Sequence, residues 1–225
     1  MTNATTNCGT DCIEAGPFGA WLQQLRRCLT GDAGMDVPCG DCTGCCTSGY
    51  SIQLRQSDTA ARAVVPIGLT VEAPGFAPGD RTLPARDDGC CPMLQHGRCS
   101  IYAQRPQTCL DYDCRVFAAA SIDAGGADKA VINRRVRAWR FTYESDDARQ
   151  AHQAVQAAAR FIRERPEAFS AIGVRAPRSP MGIAVLAIKA HAALLAAAPD
   201  TGPMSDIERA RKLLAAAQIY DGMAA

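Results

Sequence analysis

Charge of one sign, aromatic side chains and long uninterrupted apolar runs are all scarce in this sequence. With 24 Lys and Arg against 23 Asp and Glu, the formal net charge is +1. That balance excludes a global attraction to nucleic acid or to an anionic membrane surface. Aromatics make up only 6% of the residues, so any core must lean on small aliphatic side chains, alanine above all. The late stretch from Met181 to Ala198 has the length of a bilayer span but carries Lys189 and His191 near its middle. A spanning helix needs about 20 predominantly apolar residues, and this stretch is expected to be a helix of a soluble protein. No phosphate-binding Walker loop, dinucleotide fingerprint or nucleophile elbow is present, so the nucleotide and acyl-transfer classes that use them find no support.

Cysteine is abundant instead. All twelve lie in the first half of the chain: Cys8, Cys12, Cys28, Cys39, Cys42, Cys45, Cys46, Cys90, Cys91, Cys99, Cys109 and Cys114. The opening residues, Met1 to Asn7, supply neither a basic n-region nor an apolar h-region. A cytoplasmic location is therefore expected. In a reducing compartment clustered cysteines serve more often as metal ligands or catalytic groups than as disulfides.

At 225 residues the chain is long for one domain and short for two, against about 100–200 residues per domain. Phe18, Trp21, Leu22, Leu25 and Leu29 recur at helical spacing over 17–29, with Cys28 beside that face as a small core residue. Cys39 to Gly49 is glycine-rich loop. Tyr50, Ile52 and Leu54 alternate with polar residues as one short strand, and Ser57 is placed to cap a brief helix through Val65. From Pro66 to Pro92, prolines and glycines punctuate the chain too often for regular structure. Beyond Asp128 the pattern is helical: about 128–143, then 146–164, then a helix opening at Ser179-Pro180 and running to before Pro199, then a last one opened by Ser205 and Glu208 at capping-box spacing. The expected architecture is mainly α, with a small irregular α+β cysteine-rich metal-binding lobe over 1–127, N-terminal helix included, and a helical lobe over 128–225. A metal would supply folding energy that so irregular a first lobe lacks.

The first cysteine block reads Cys39-Gly-Asp-Cys42-Thr-Gly-Cys45-Cys46. Two intervening residues let successive sulfurs converge from one tight loop, and the glycines let the backbone bend around an ion or cluster. Three thiolates at this spacing, with a distant fourth followed by proline, resemble bacterial ferredoxin ligation, and Cys91-Pro92 can be that fourth. Adjacent side chains diverge, so Cys45 and Cys46 are not expected on one tetrahedral ion. With Cys90, Cys91, Cys99, Cys109 and Cys114 the two blocks hold nine thiols. That is enough for two four-thiolate sites, or for one cluster with spare thiols.

Cys39-Gly-x-Cys42-x-x-Cys45-Cys46, Cys91-Pro92-Met93-Leu94, Arg98-Cys99-Ser100-Ile101-Tyr102, Arg105-Pro106-x-x-Cys109 and Cys114 together resemble the YkgJ-like cysteine-cluster family. That family is described as zinc- or iron-chelating, with a related version in flagellin lysine N-methylase. The resemblance spans about 37–117. It implies Cys39, Cys42, Cys45, Cys46, Cys91, Cys99, Cys109 and Cys114 as the cofactor and metal ligands, and leaves Cys8, Cys12, Cys28 and Cys90 outside the pattern.

Four thiolates around Zn²⁺, or around an oxidised [4Fe–4S] core, leave a net charge of about −2, which Arg98, Arg105 and Arg115 are placed in sequence to offset. His96 sits near Cys99 but is read as a solvated turn residue. His152 and His191 have no metal-binding partner in sequence. Arg134, Arg135, Arg137 and Arg140 surround Trp139, yet neighbouring acidic residues favour a solvated helix face over nucleic-acid binding. The leading expectation is an iron–sulfur protein, [4Fe–4S] in type, with redox or methyl-transfer chemistry on a small-molecule or protein substrate. The rival is a non-catalytic zinc module whose helices bind a partner protein; neither reading calls for membrane or nucleic acid.

Overall fold

The computed structural model describes residues 12–31, 34–35, 37, 39–73, 75–195 and 204–222. Cys8 and the expected helix end before Pro199 lie outside them. Helix predominates over short strands, so the chain is mixed α+β.

Strand β1 (Ile13–Pro17) leads directly into α1 (Phe18–Leu29). The apolar spacing noted in the sequence becomes the buried face of α1: Phe18, Trp21, Leu22, Leu25 and Cys28 are all buried. Helix propensity alone would leave so short a helix marginal; burying one such large side chain contributes about 1.5–3 kcal/mol.

β2 (Ile52–Leu54) and α2 (Thr59–Val64) fall near the expected positions, but the N-cap of α2 is Asp58 and not Ser57. The stretch expected to lack regular structure does contain some. β3 (Val71–Glu72) and β4 (Arg81–Leu83) form there, and an antiparallel sheet runs in the order β2-β4-β3. A side-chain tie explains what composition could not. Buried Asp80 accepts hydrogen bonds from Gln53 Nε2 at 2.8 Å and from the Gln56 backbone N–H at 3.0 Å, which pins the start of β4 to β2. β5 (Leu94–Gln95) and β6 (Arg98–Cys99) form a hairpin, turning on His96 and Gly97 with φ of 48° and 73°. Positive φ at both turn positions is the type I′ geometry of two-residue hairpins.

α3 (Gln107–Asp111) and α4 (Arg115–Ala120) follow, then α5 (Ala130–Ala138). The helix expected to reach Tyr143 ends five residues early. Trp139–Thr142 is strand β7, parallel to β1 with Ile13 opposite Trp139 and Pro17 opposite Thr142. Trp, Phe and Thr favour strands, and the distant partner at 13–17 decides the outcome. α6 (Asp146–Glu164) matches expectation; Ser145 Oγ caps it by accepting from Ala148 N–H at 3.1 Å, with Asp146 and Asp147 in the first turn. α7 (Pro166–Ser170) was not anticipated.

α8 (Pro180–Ala190) starts at the expected Ser179–Pro180 cap but stops at His191, and α9 (Ala192–Leu195) follows as a separate short helix. His191 is buried, and its Nδ1 donates to Ile188 O at 2.8 Å, a local side-chain bond that competes with helix continuation. No helix among the described residues is long and apolar enough to cross a membrane. α10 (Asp206–Gly222) opens on the capping box: Ser205 N–H donates to Glu208 Oε2 at 3.0 Å and Glu208 N–H to Ser205 Oγ at 3.3 Å.

One large core gathers α1, α4, α6, α8 and α10. Ala158, Ala159, Ala184, Ala187 and Ala210 are fully buried within it, so the abundant alanine lets helices approach closely rather than filling volume. A smaller cluster of Leu54, Ala61, Val65, Leu83, Met93 and Ile101 lies under the sheet and hairpin, with Cys91 and Cys99 packed against it.

Candidate metal centre

The first cysteine block turns as its glycines require. Gly40 has φ of 58°, and the Cys42 N–H closes a turn onto Cys39 O at 2.9 Å. A Cβ on buried Gly44 would stand 3.3 Å from Ile132 Cγ1 of α5 and 3.5 Å from Cys42 Sγ, so the loop lies tight against α5 and a larger residue would press on Ile132. A 3-10 turn then carries Cys45 to Thr47, with Ser48 Oγ donating to Gly44 O at 2.6 Å.

Two backbone bonds join the blocks: Cys91 N–H to Cys46 O at 2.7 Å and Gly49 N–H to Gly89 O at 2.8 Å. Cys99 sits on β6 of the adjoining hairpin. α3 presents Cys109 and is docked on β2 by Thr108 Oγ1 donating to Gln53 O at 3.0 Å; its first N–H, from Gln107, bonds Asp58 Oδ1 at 2.8 Å. Cys114 precedes α4 and receives the Trp139 indole N–H at 3.3 Å.

Cysteines of the two blocks are drawn together around Cys45. Cys39, Cys42, Cys45 and Cys114 line one small cavity of about 30 Å³, together with Tyr112 and Trp139. Cys46 and Cys91 are joined through their backbones, and the charges of Cys91 and Cys99 both act on Cys109. Cys45 touches both sets: it is hydrogen-bonded to Cys46, and its charge is felt at Cys39, Cys91, Cys109 and Cys114. Among the described residues, no three His, Cys, Asp or Glu side chains already stand as a metal-holding group.

The electrostatics are those of crowded thiols. Burial, then neighbouring cysteines, raises the pKa of Cys39. Burial pushes Cys109 and Cys114 up to about 12, and the Cys46 hydrogen bond, followed by burial, raises Cys45 as well. Such thiols stay protonated at neutral pH until a cation replaces their protons. Arg105 and Arg135 both favour the Cys39 thiolate, and Arg105 also favours that of Cys109. Of the arginines expected to offset the charge, only Arg105 does so here. Arg98 is exposed at the hairpin, and Arg115 spends its guanidinium on Asp113 at 2.8 Å.

The donor set fits a thiophilic metal. Eight soft sulfurs, two guanidiniums and a buried Tyr112 hydroxyl without a hydrogen-bond partner suit a thiolate centre that accepts a hydrogen bond from its second shell. Sequence reasoning missed Tyr112, Arg135 and Trp139 as neighbours of the cysteines, since nothing in their spacing ties them to the two blocks. Cys90 and His96 lie outside this group, with His96 exposed at the hairpin tip. Cys28 is buried in α1, its pKa pushed up to about 11 by burial and then by Asp111. Cys12, one of the four cysteines outside the family pattern, takes part in a disulfide, against the general expectation of metal binding over disulfides; the other ten described cysteines are free thiols.

Residues 38–129 match the family model CxxCxxCC, described as a "putative zinc- or iron-chelating domain". This segment is similar to that domain. The YkgJ-like resemblance read from the motifs agrees with that family, and all eight implied ligands fall inside the matched residues. No curated protein and no solved structure matches the chain.

Proposed function

We propose that the CxxCxxCC-like segment holds metal at two adjoining four-thiolate centres, one built from Cys39, Cys42, Cys45 and Cys114, the other from Cys46, Cys91, Cys99 and Cys109. The observation that carries this reading is the lining of the small cavity, to which Cys39, Cys42, Cys45 and Cys114 contribute beside Tyr112 and Trp139. The adjacent pair Cys45–Cys46 divides naturally between two centres, because neighbouring side chains diverge. Iron–sulfur clusters are the leading occupants, on the ferredoxin-like spacing of the first block and the two arginines that offset thiolate charge. Such a cluster supplies one-electron chemistry. Around it Arg105 and Arg135 stabilise thiolate, Tyr112 offers a donor, and Trp139 holds Cys114.

A cavity of about 30 Å³ favours a second reading, in which each centre holds one Zn²⁺ with every ligand position closed and the domain is structural. Anaerobic purification followed by iron, zinc and acid-labile sulfide analysis separates the two. Brown protein with sulfide is expected; colourless protein with stoichiometric zinc and no sulfide would establish the structural reading. Cys42→Ser and Cys99→Ser should each remove about half of the bound metal, because a hydroxyl is a poor ligand for a soft centre, while Cys90→Ser should remove none. Loss of all metal from either single variant would replace two centres by one.

A further inference from the structure

A second cleft, of about 430 Å³, opens beside α4, α5 and α6; no cysteine lines it, and it shares Trp139 with the wall of the cysteine cavity. That is within the roughly 300–1,000 Å³ range of small-molecule sites. Its rim carries three guanidiniums, Arg137, Arg140 and Arg163, against one carboxylate, Asp123, a net charge of +2 within a chain whose total is +1. Arg137 and Asp123 pair at 2.6 Å, and Arg163 reaches Glu164 at 3.0 Å. Both pairs are solvent-exposed and screened by water, so either guanidinium can exchange its partner for a ligand. Among the described residues Arg140 hydrogen-bonds only to backbone, to Arg137 O at 2.6 Å and Trp139 O at 2.8 Å through one nitrogen. Ser121 lines the same cleft in a left-handed conformation with φ of 55°, uncommon for a residue with a side chain.

We infer that this cleft binds a small phosphate monoester. The charge selects it: a monoester carries about −1.5 to −2 near neutral pH, matching the rim, and planar guanidinium forks bind phosphate oxygens in pairs. The dimensions suit a small molecule, with room for a compact polar body beside the phosphate. The site does not depend on metal, so it stands or falls separately from the thiolate centres.

Trp139 lines the cleft and is one of only two tryptophans, so its fluorescence reports occupancy. Titration of the full chain with glycerol phosphate should give a saturable change that glycerol alone does not. Arg140→Gln and Arg137→Gln should each weaken binding about five-fold or more, as expected for loss of a charge-assisted bidentate contact. Asp123→Asn should tighten it, since that variant frees Arg137 and removes a like charge from the site. All three positions are exposed, and unchanged circular dichroism will show that the variants fold. No saturable response up to about 10 mM, a limit of roughly 3 kcal/mol of binding free energy, would overturn the assignment. So would arginine variants that bind like the parent, or an Asp123→Asn variant that binds more weakly.

Discussion

Removing the carboxylate of Asp113 should be among the most damaging single changes in the molecule outside the thiolates. Asp113 is only 2% exposed and accepts from three directions. The Trp21 indole N–H of α1 donates at 2.8 Å, the Arg115 backbone N–H at 2.8 Å, and the Arg115 side chain at 2.8 and 3.0 Å. Arg115 in turn bonds Ala15 O of β1 at 3.1 Å, so one buried carboxylate ties α1, β1 and α4 together next to Cys114. Asp113→Ala leaves an almost buried guanidinium without its counter-charge and an indole N–H without an acceptor. Breaking a buried pair from one side costs about 3–5 kcal/mol, a large part of the roughly 5–15 kcal/mol that holds a typical domain folded. The double variant Asp113→Leu with Arg115→Met removes both charges at similar volume and should return to within about 1–2 kcal/mol of the parent. Urea unfolding followed by circular dichroism, at fixed chelator so that metal linkage is constant, reads both values. An Asp113→Ala loss below about 1 kcal/mol, or a double variant no better than the single one, would refute this account.

Metal binding should release protons. Cys109 and Cys114 have pKa values pushed up to about 12, so apparent affinity should rise with pH by about one log unit per pH unit for each thiolate formed; competition with a chelator between pH 6 and 8 measures the slope, and a flat profile would show that those thiols are not ligands. His152 is held neutral, its pKa lowered to about 4 by burial against Phe18, 4.3 Å away in a stacked arrangement. A lowered histidine pKa means the unfolded chain takes up the proton first, so stability is complete above about pH 6.5 and falls by at most about 3 kcal/mol on the way to pH 4. Urea midpoints at both ends of that window, with His152→Phe flattening the profile, test the assignment. Gly44→Ala should cost about 1 kcal/mol or more and loosen metal binding, since its Cβ would press on Ile132; thermal unfolding with and without metal checks it. Ser205→Ala should cost about 1 kcal/mol through loss of the α10 cap, visible as a lower urea midpoint.

What could be read from the sequence was local. α1, α6 and the two capped starts at Ser179 and Ser205 follow from periodicity and cap chemistry, which act within a few residues. The turn at Gly40 and the cysteine spacing are equally local, and they sufficed to identify the domain that the family model covers. What escaped was set by distant partners. β7 exists because Ile13–Pro17 lies beside it, and β4 because Asp80 reaches Gln53 and Gln56; neither tie leaves a periodic trace. Trp139 reads in sequence as one apolar-face residue of a helix over 128–143, with four arginines around it on a solvated face. In the fold it bonds Cys114, while Arg135 of the same cluster lies 4.8 Å from its ring centre and favours the Cys39 thiolate.

The pair of backbone bonds that join Cys46 to Cys91 and Gly49 to Gly89 bears on how the protein is made. During synthesis the first block emerges long before its partners: the proposed centre that includes Cys46 lacks its last sulfur until Cys109 is made, and the one that includes Cys39 until Cys114. Until then Cys39, Cys42, Cys45 and Cys46 are exposed to stray ions and oxidants without the groups that complete them. The cost of closing the connection between the blocks grows only slowly, by about 0.6 kcal/mol for each doubling of its length. Length changes in a redesigned chain are therefore restricted less by loop entropy than by the contacts of 52–83 itself, which docks α3 through Gln53 and Asp58.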